Sequence, residues 1–156
     1  MHFLAWLYTS PVGLFVQESS WGYPVVLSTH ALGMGIVVGS VLMYDLRVLG
    51  FANKISLAWF DQLYLLAWVG FAMNAASGAL LFTGDPMKFA FSTPFQIKIL
   101  LIFAGAWAIW LLGRSIHRDI AGEHIADTST RSKWIAGLSI FFWIGAIVAG
   151  RLIAYF

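Results

Sequence analysis

Cysteine is absent from the whole sequence, and its absence excludes three kinds of chemistry. Without thiols the chain can form no disulfide bond, no thiolate metal site and no iron–sulfur cluster. The sequence also lacks a phosphate-binding loop and any acid pair or nucleophile–base motif of recognised spacing. We therefore expect no stand-alone enzyme, and at most a part of a redox complex.

Charged residues are also scarce in the sequence. Charged residues make up 10% of the 156 positions and hydrophobic residues 60%, whereas soluble domains carry about a quarter charged residues. Long apolar runs suit a lipid bilayer, which requires about 20 apolar residues for each helical crossing. The net charge of +2 gives no reason to expect a nucleic-acid partner. We predict one integral-membrane domain over residues 1–156.

Four segments are long enough to cross a membrane, and polar breaks separate them. They cover residues 24–48, 58–82, 94–116 and 133–155. This pattern predicts an all-α polytopic membrane protein whose four transmembrane helices form an up-down bundle. Residues 1–22 are too short and too interrupted, at Pro11, to span. We predict that they are retained as a segment lying along the membrane interface.

Lysine and arginine predict the orientation of the bundle. Six of them fall on one side of the predicted membrane, namely Arg47, Lys54, Arg114, Arg118, Arg131 and Lys133. The loop on the other side carries only Lys88. The positive-inside rule places the six in the cytoplasm and both termini outside. In a bacterium this predicts a multi-pass protein of the inner membrane with periplasmic termini.

Polar side chains occur at nearly one depth in all four predicted crossings. His30 lies about 9 Å to the periplasmic side of the centre of the first crossing, at a rise of 1.5 Å per residue. Asn74 and Ser77 in the second crossing, Lys98 in the third and Arg151 in the fourth lie at similar depths. Ionisable groups inside a membrane are costly and usually face the bundle interior or a cavity. We predict a polar, cationic pocket in the periplasmic half.

Two cations and a titratable ring at one level require a negative partner. The sequence offers Glu18, Asp85 or a bound anionic ligand. Plainer interpretations stay open, because Lys98 and Arg151 are near helix ends and long cations can extend to the interface. The other polar residues of the layer could simply make hydrogen bonds between helices.

The predicted cytoplasmic end is less specific. We interpret its polar residues mostly as a solvated positive face, comprising Asp45, Arg47, Arg114, His117 and Arg118. His117 and His124 are seven residues apart and could share a helical face, which is a weak metal signal.

Small residues recur four positions apart, as at Gly35 and Gly39 and at Gly70, Asn74 and Gly78. Between membrane helices this spacing allows close backbone approach. It predicts a tight bundle about as strongly as it predicts a binding site.

Two stretches carry a family resemblance. The run HALGMGIVVGSVLMYDLRVLG, which begins at His30, and the final FWIGAIVAGRLIAY resemble a family of small bacterial inner-membrane proteins defined only as a domain of unknown function. The resemblance covers most of the chain and implies a four-helix protein without implying an activity. It marks as characteristic the positions of His30, Asp45, Arg47, Lys98 and Arg151. A looser similarity to copper-resistance membrane proteins and b-type cytochromes concerns architecture alone.

Three classes of function stay open from the sequence. The first is a redox or electron-transfer subunit that binds haem b or a quinone, with a site formed by His30, Asn74, Ser77, Lys98 and Arg151. The second is a transporter or binder of a small anion, or of Cu(I) at His30 and Met34. The third is an accessory structural subunit of a larger membrane complex. The expected partners are the lipid bilayer and either further copies of the chain or a larger complex.

Overall fold

The computed structural model describes residues 2–51, 60–121, 129–153 and 155. Every regular element in these ranges is a helix, which confirms the all-α prediction. The elements in chain order are α1 (His2–Tyr8), α2 (Pro11–Glu18), α3 (Gly22–Val48), α4 (Phe60–Gly84), α5 (Pro86–Phe91), α6 (Thr93–Ala121) and α7 (Thr130–Leu152).

Helices α3, α4, α6 and α7 are long and apolar enough to cross a membrane. The chain is therefore a multi-pass membrane protein, as its composition predicted. Consecutive crossings run in opposite directions, so the bundle has two distinct ends. We call the end where α3 begins and α7 ends the His30 end. The opposite end, where α3 ends and α7 begins, is called the Asp45 end.

Some helix boundaries differ from the predicted ones because capping groups lie outside the apolar runs. Helix α7 begins at Thr130 rather than at 133, since the Ser129 side chain accepts a hydrogen bond from the backbone N–H of Ser132. The short helix α5 was not predicted at all. Asp85 caps it by accepting from the N–H of Lys88, and Pro86 occupies its first turn. Capping side chains determine where these helices begin, and a prediction based on hydropathy does not detect them.

Residues 1–22 form the two short helices α1 and α2. The Ser10 side chain caps α2, and α2 packs against α3 and the end of α4. Val16 is buried there, beside Gly84. Phe3, Trp6 and Phe15 are exposed, as a segment lying in the membrane interface requires. That location stays a prediction.

Helices α3 and α4 approach so closely that glycine is required at their contact. A Cβ atom at Gly70 would lie 2.6 Å from the backbone nitrogen of Val37, and one at Gly33 would lie 2.8 Å from that of Asn74. In contrast, a Cβ at Gly35 or Gly39 would meet nothing within 4 Å. The prediction of close backbone approach is therefore right for Gly70 and wrong for Gly35 and Gly39.

We predict that Gly70→Ala destabilises the bundle by about 1–3 kcal/mol, because the added methyl group forces α3 and α4 apart. The measurement is the free energy of unfolding in detergent. Gly137→Ala is the matched control, since its Cβ would enter open space at an exposed position of α7. Equal stability of the two variants would contradict the close contact.

Candidate functional site

The imidazole ring of His30 is held from one side by α4. Its Nδ1 atom lies 3.0 Å from the main-chain oxygen of Asn74 and 3.2 Å from the hydroxyl oxygen of Ser77. The Ser77 hydroxyl donates its own hydrogen to the main-chain oxygen of Met73, at 2.7 Å. Both atoms that face Nδ1 are therefore acceptors, so Nδ1 carries the ring hydrogen and Nε2 keeps its lone pair.

The contact between α3 and α4 also fixes the backbone around His30. The Nδ2 atom of Asn74 donates to the main-chain oxygen of His30 at 2.9 Å and lies 3.5 Å from Nε2 of the ring. Gly78 provides room for the ring, since a Cβ there would lie 3.1 Å from its Cε1 atom. Asn74 and Ser77 thus position His30, and they do not line the cavity that His30 faces.

That cavity has a volume of about 610 Å³ and lies between α3, α6 and α7 at the His30 end. Its walls are mainly apolar, and its polar side chains are those of Tyr23, His30, Lys98 and Arg151. Three of the four helices of the predicted polar layer therefore contribute an ionisable side chain to one space. A cavity of this size with few convergent polar groups is typical of a small-molecule site.

The side chain of Lys98 packs against α7 at Gly150. A Cβ at Gly150 would lie 3.5 Å from the Lys98 ammonium nitrogen, and no hydrogen bond or ion pair joins that nitrogen to another described residue. Neither predicted acidic partner is used. The Asp85 carboxylate caps α5, and Glu18 is exposed at the end of α2. Lys98 is half-buried, and Arg151 is exposed at the edge of the cavity.

Met34 lines the same cavity, one helical turn after His30. A copper site would need more ligands than these two, and the described residues contain no cluster of three or more His, Cys, Asp or Glu side chains. The weak metal signal concerns His124 and the side chain of His117, which lie outside the described residues, as do Lys54 and the side chain of Arg118.

A second cavity, of about 760 Å³, lies between α6 and α7 on the outside of the bundle. It is larger, but its lining includes no charged side chain, and its residues include Phe91, Ile97, Phe141 and Leu152. A groove with these exposed apolar walls would be in contact with lipid chains if α6 and α7 cross a membrane. The smaller cavity is the better candidate because it alone of the two combines apolar walls with directed polar groups.

The structure corrects the interpretation of Asp45. The sequence suggested that it belongs to a solvated positive face, yet its side chain is 0% exposed. The spacing of Val37, Val41, Asp45 and Val48 along α3 shows why, since these positions share one helical face and all are buried. The helical spacing of these positions was the signal for burial in the sequence. An interpretation that uses only the depth of a residue in the membrane does not detect it.

Comparisons with family models, with curated proteins and with solved structures found no match to this chain. The family resemblance described above therefore stays a prediction. The case for function depends on the geometry around His30.

We predict that His30 is the Nδ1–H tautomer at neutral pH. The ¹⁵N chemical shifts of histidine-labelled protein measure this directly, with His30→Gln assigning the resonances. Ser77→Ala should keep the same tautomer, because the main-chain oxygen of Asn74 still accepts from Nδ1. A ring protonated on Nε2 would contradict the arrangement.

Proposed function

We propose that this chain is the quinone-binding subunit of a membrane redox system, with the quinone ring in the cavity beside His30. One observation carries the proposal: a positioned histidine and a lysine ammonium group meet in a cavity of suitable size with apolar walls. A lipid-soluble quinone needs such walls for its ring and tail. It needs polar groups only at its two oxygen atoms.

The two side chains have complementary roles in this proposal. The ammonium group of Lys98 donates a hydrogen bond to a carbonyl oxygen of the oxidised ring. The Nε2 atom of His30 accepts a hydrogen bond from a hydroxyl group of the reduced ring, and it can take that proton. Arg151, at the exposed edge, adds positive charge that favours a ligand whose oxygen atoms carry negative charge. A separate redox partner in the same complex supplies or removes the electrons.

Haem b is the second candidate, because Lys98 and Arg151 at one cavity could pair with its propionates. It fits less well. His30 is the one histidine that lines the cavity among the described residues, and Met34 lies on the same face of α3, so it cannot bind the opposite face of a haem held by His30. Copper fits least, since the Lys98 ammonium group repels a cation.

The distribution of positive charge in the sequence supports a location. We propose a bacterial inner membrane in which the His30 end faces the periplasm, on the basis of the six Lys and Arg residues that the sequence assigns to the opposite side. The ionisable groups of the cavity would then lie in the outer half of the membrane. Quinones diffuse within the bilayer, so the opening of the cavity along α3 and α7 is compatible with entry from lipid.

Gly39 gives the sharpest test of the cavity. It lines the cavity and a Cβ there meets nothing, so Gly39→Leu should fill the space without disturbing the fold. We predict that protein purified in lipid nanodiscs retains quinone, measured by solvent extraction and chromatography, and that Gly39→Leu loses most of it. Gly137→Leu is the matched control, because Gly137 is equally open but lies outside the cavity.

Equal quinone content in the native protein and both variants would contradict the proposal. A visible spectrum of the same samples distinguishes quinone from haem b, the second candidate ligand. A Soret band that disappears in Gly39→Leu would assign the cavity to haem.

We also predict that Lys98→Met weakens quinone binding by about ten- to a hundredfold, the equivalent of losing one charge-assisted hydrogen bond of roughly 1.5–3 kcal/mol. The measurement is a titration followed by quenching of tryptophan fluorescence. Lys88→Met is the control, since Lys88 is exposed on α5 and outside the cavity. Similar affinities in the two variants would show that the ammonium group of Lys98 is not a ligand.

A further inference from the structure

A second polar site lies in the interior at the Asp45 end, separate from the cavity. The side chain of Asp45 on α3 is 0% exposed, and neither of its carboxyl oxygens has a hydrogen-bond partner in the described part of the chain. Ser139 on α7 is also 0% exposed, and its hydroxyl likewise has no hydrogen-bond partner there. This hydroxyl is the side-chain group that faces the carboxyl. Two elements thus bring two unsatisfied polar groups together.

The surroundings cannot support an ionised carboxylate. The aliphatic side chains packed at this end, Val48, Leu112 and Ala136, offer neither hydrogen bonds nor charge. The hydroxyl groups of Tyr44 and Tyr64 in the same cluster form no hydrogen bond with the carboxyl. An unpaired charge in such an environment is far costlier than a neutral polar group. A neutral carboxylic acid, in contrast, has a single O–H to donate, and the Ser139 hydroxyl can accept it.

No neighbouring charge changes this conclusion. The described titratable and charged groups on the elements packed here are Tyr44, Arg47, Tyr64, Arg114, Arg131 and Lys133. None of them forms a hydrogen bond with the Asp45 carboxyl. Arg47 is two positions from Asp45 and so points to a different face of α3. The guanidinium group of Arg114 lies over the ring of Trp110, at 4.1 Å from its centroid.

We propose that Asp45 is a proton-binding site: its carboxyl group takes a proton from the solution at the Asp45 end and holds it inside the bundle, with the O–H directed at Ser139. One proton enters and the carboxylate becomes a neutral acid, so no other reactant is needed. The site is independent of the cavity beside His30. It provides the chain with a buried, exchangeable proton near the Asp45 end, at a residue that does not line the cavity.

Infrared spectroscopy tests this directly. At neutral pH solvated carboxyl groups are ionised, so among the described carboxyl groups only buried Asp45 should give the carbonyl-stretch band of a protonated acid. We expect the native protein to show this band, Asp45→Asn to lose it and Ser139→Ala to shift it. Asp85→Asn is the matched control and should leave it unchanged, because Asp85 is a solvent-accessible helix cap. Absence of the band in the native protein, or its persistence in Asp45→Asn, would overturn the proposal.

Measurements of thermal stability distinguish a proton bound at Asp45 from a metal cation bound there. Asparagine has the shape of the neutral acid, so Asp45→Asn should melt close to the native protein, whereas Asp45→Ala should melt clearly lower because it leaves a cavity. Replacing sodium by a large organic cation in the buffer should change none of these values. A native melting temperature that falls on removing sodium, with Asp45→Asn insensitive to it, would identify a sodium site and overturn the proton site.

Discussion

A polar group inside a membrane is costly unless it has a partner within the protein, and this constraint shapes the contact between α3 and α4. The His30 ring is satisfied only because the main chain of α4 comes within hydrogen-bond distance of Nδ1. That approach depends on glycine at Gly33, Gly70 and Gly78, where side chains would collide with the neighbouring helix or with the ring. The same glycines therefore determine both the position of the His30 ring and the separation of α3 and α4.

The two ends of the bundle use polar residues in different ways. At the His30 end the ionisable groups face a cavity open along α3 and α7, so an exchangeable ligand can meet them. At the Asp45 end the polar groups are enclosed. Ser115 and Ser132 hydrogen-bond to one another at 2.8 Å, whereas the Asp45 carboxyl and the Ser139 hydroxyl have no hydrogen-bond partner among the described residues and can pair once the carboxyl binds a proton. An open site suits a molecule that arrives from lipid, and an enclosed one suits a species as small as a proton.

Much of the fold could be predicted from the sequence, because hydrophobic run length reports directly on membrane crossings. The depth of the polar layer could also be predicted, since depth depends only on position along each helix. The rotation of each helix about its own axis, which decides which residues face the bundle interior, could not be predicted. Gly35 and Gly39 were expected at a helix contact but line the cavity, and Asp45 was expected in solvent but is buried. Which face a residue occupies depends on the packing of all four helices, and spacing within one helix constrains it only weakly.

The central claim concerns which space in the bundle holds the quinone. A photoreactive quinone analogue, cross-linked in lipid nanodiscs and mapped by mass spectrometry, measures this most directly. The account predicts labels on α3 between His30 and Leu42 and on α7 between Ile147 and Arg151, with competition by unlabelled quinone. Labels confined to the outer groove, at Phe91, Ile97 or Phe141, would contradict it and would show that the analogue binds as an ordinary lipid.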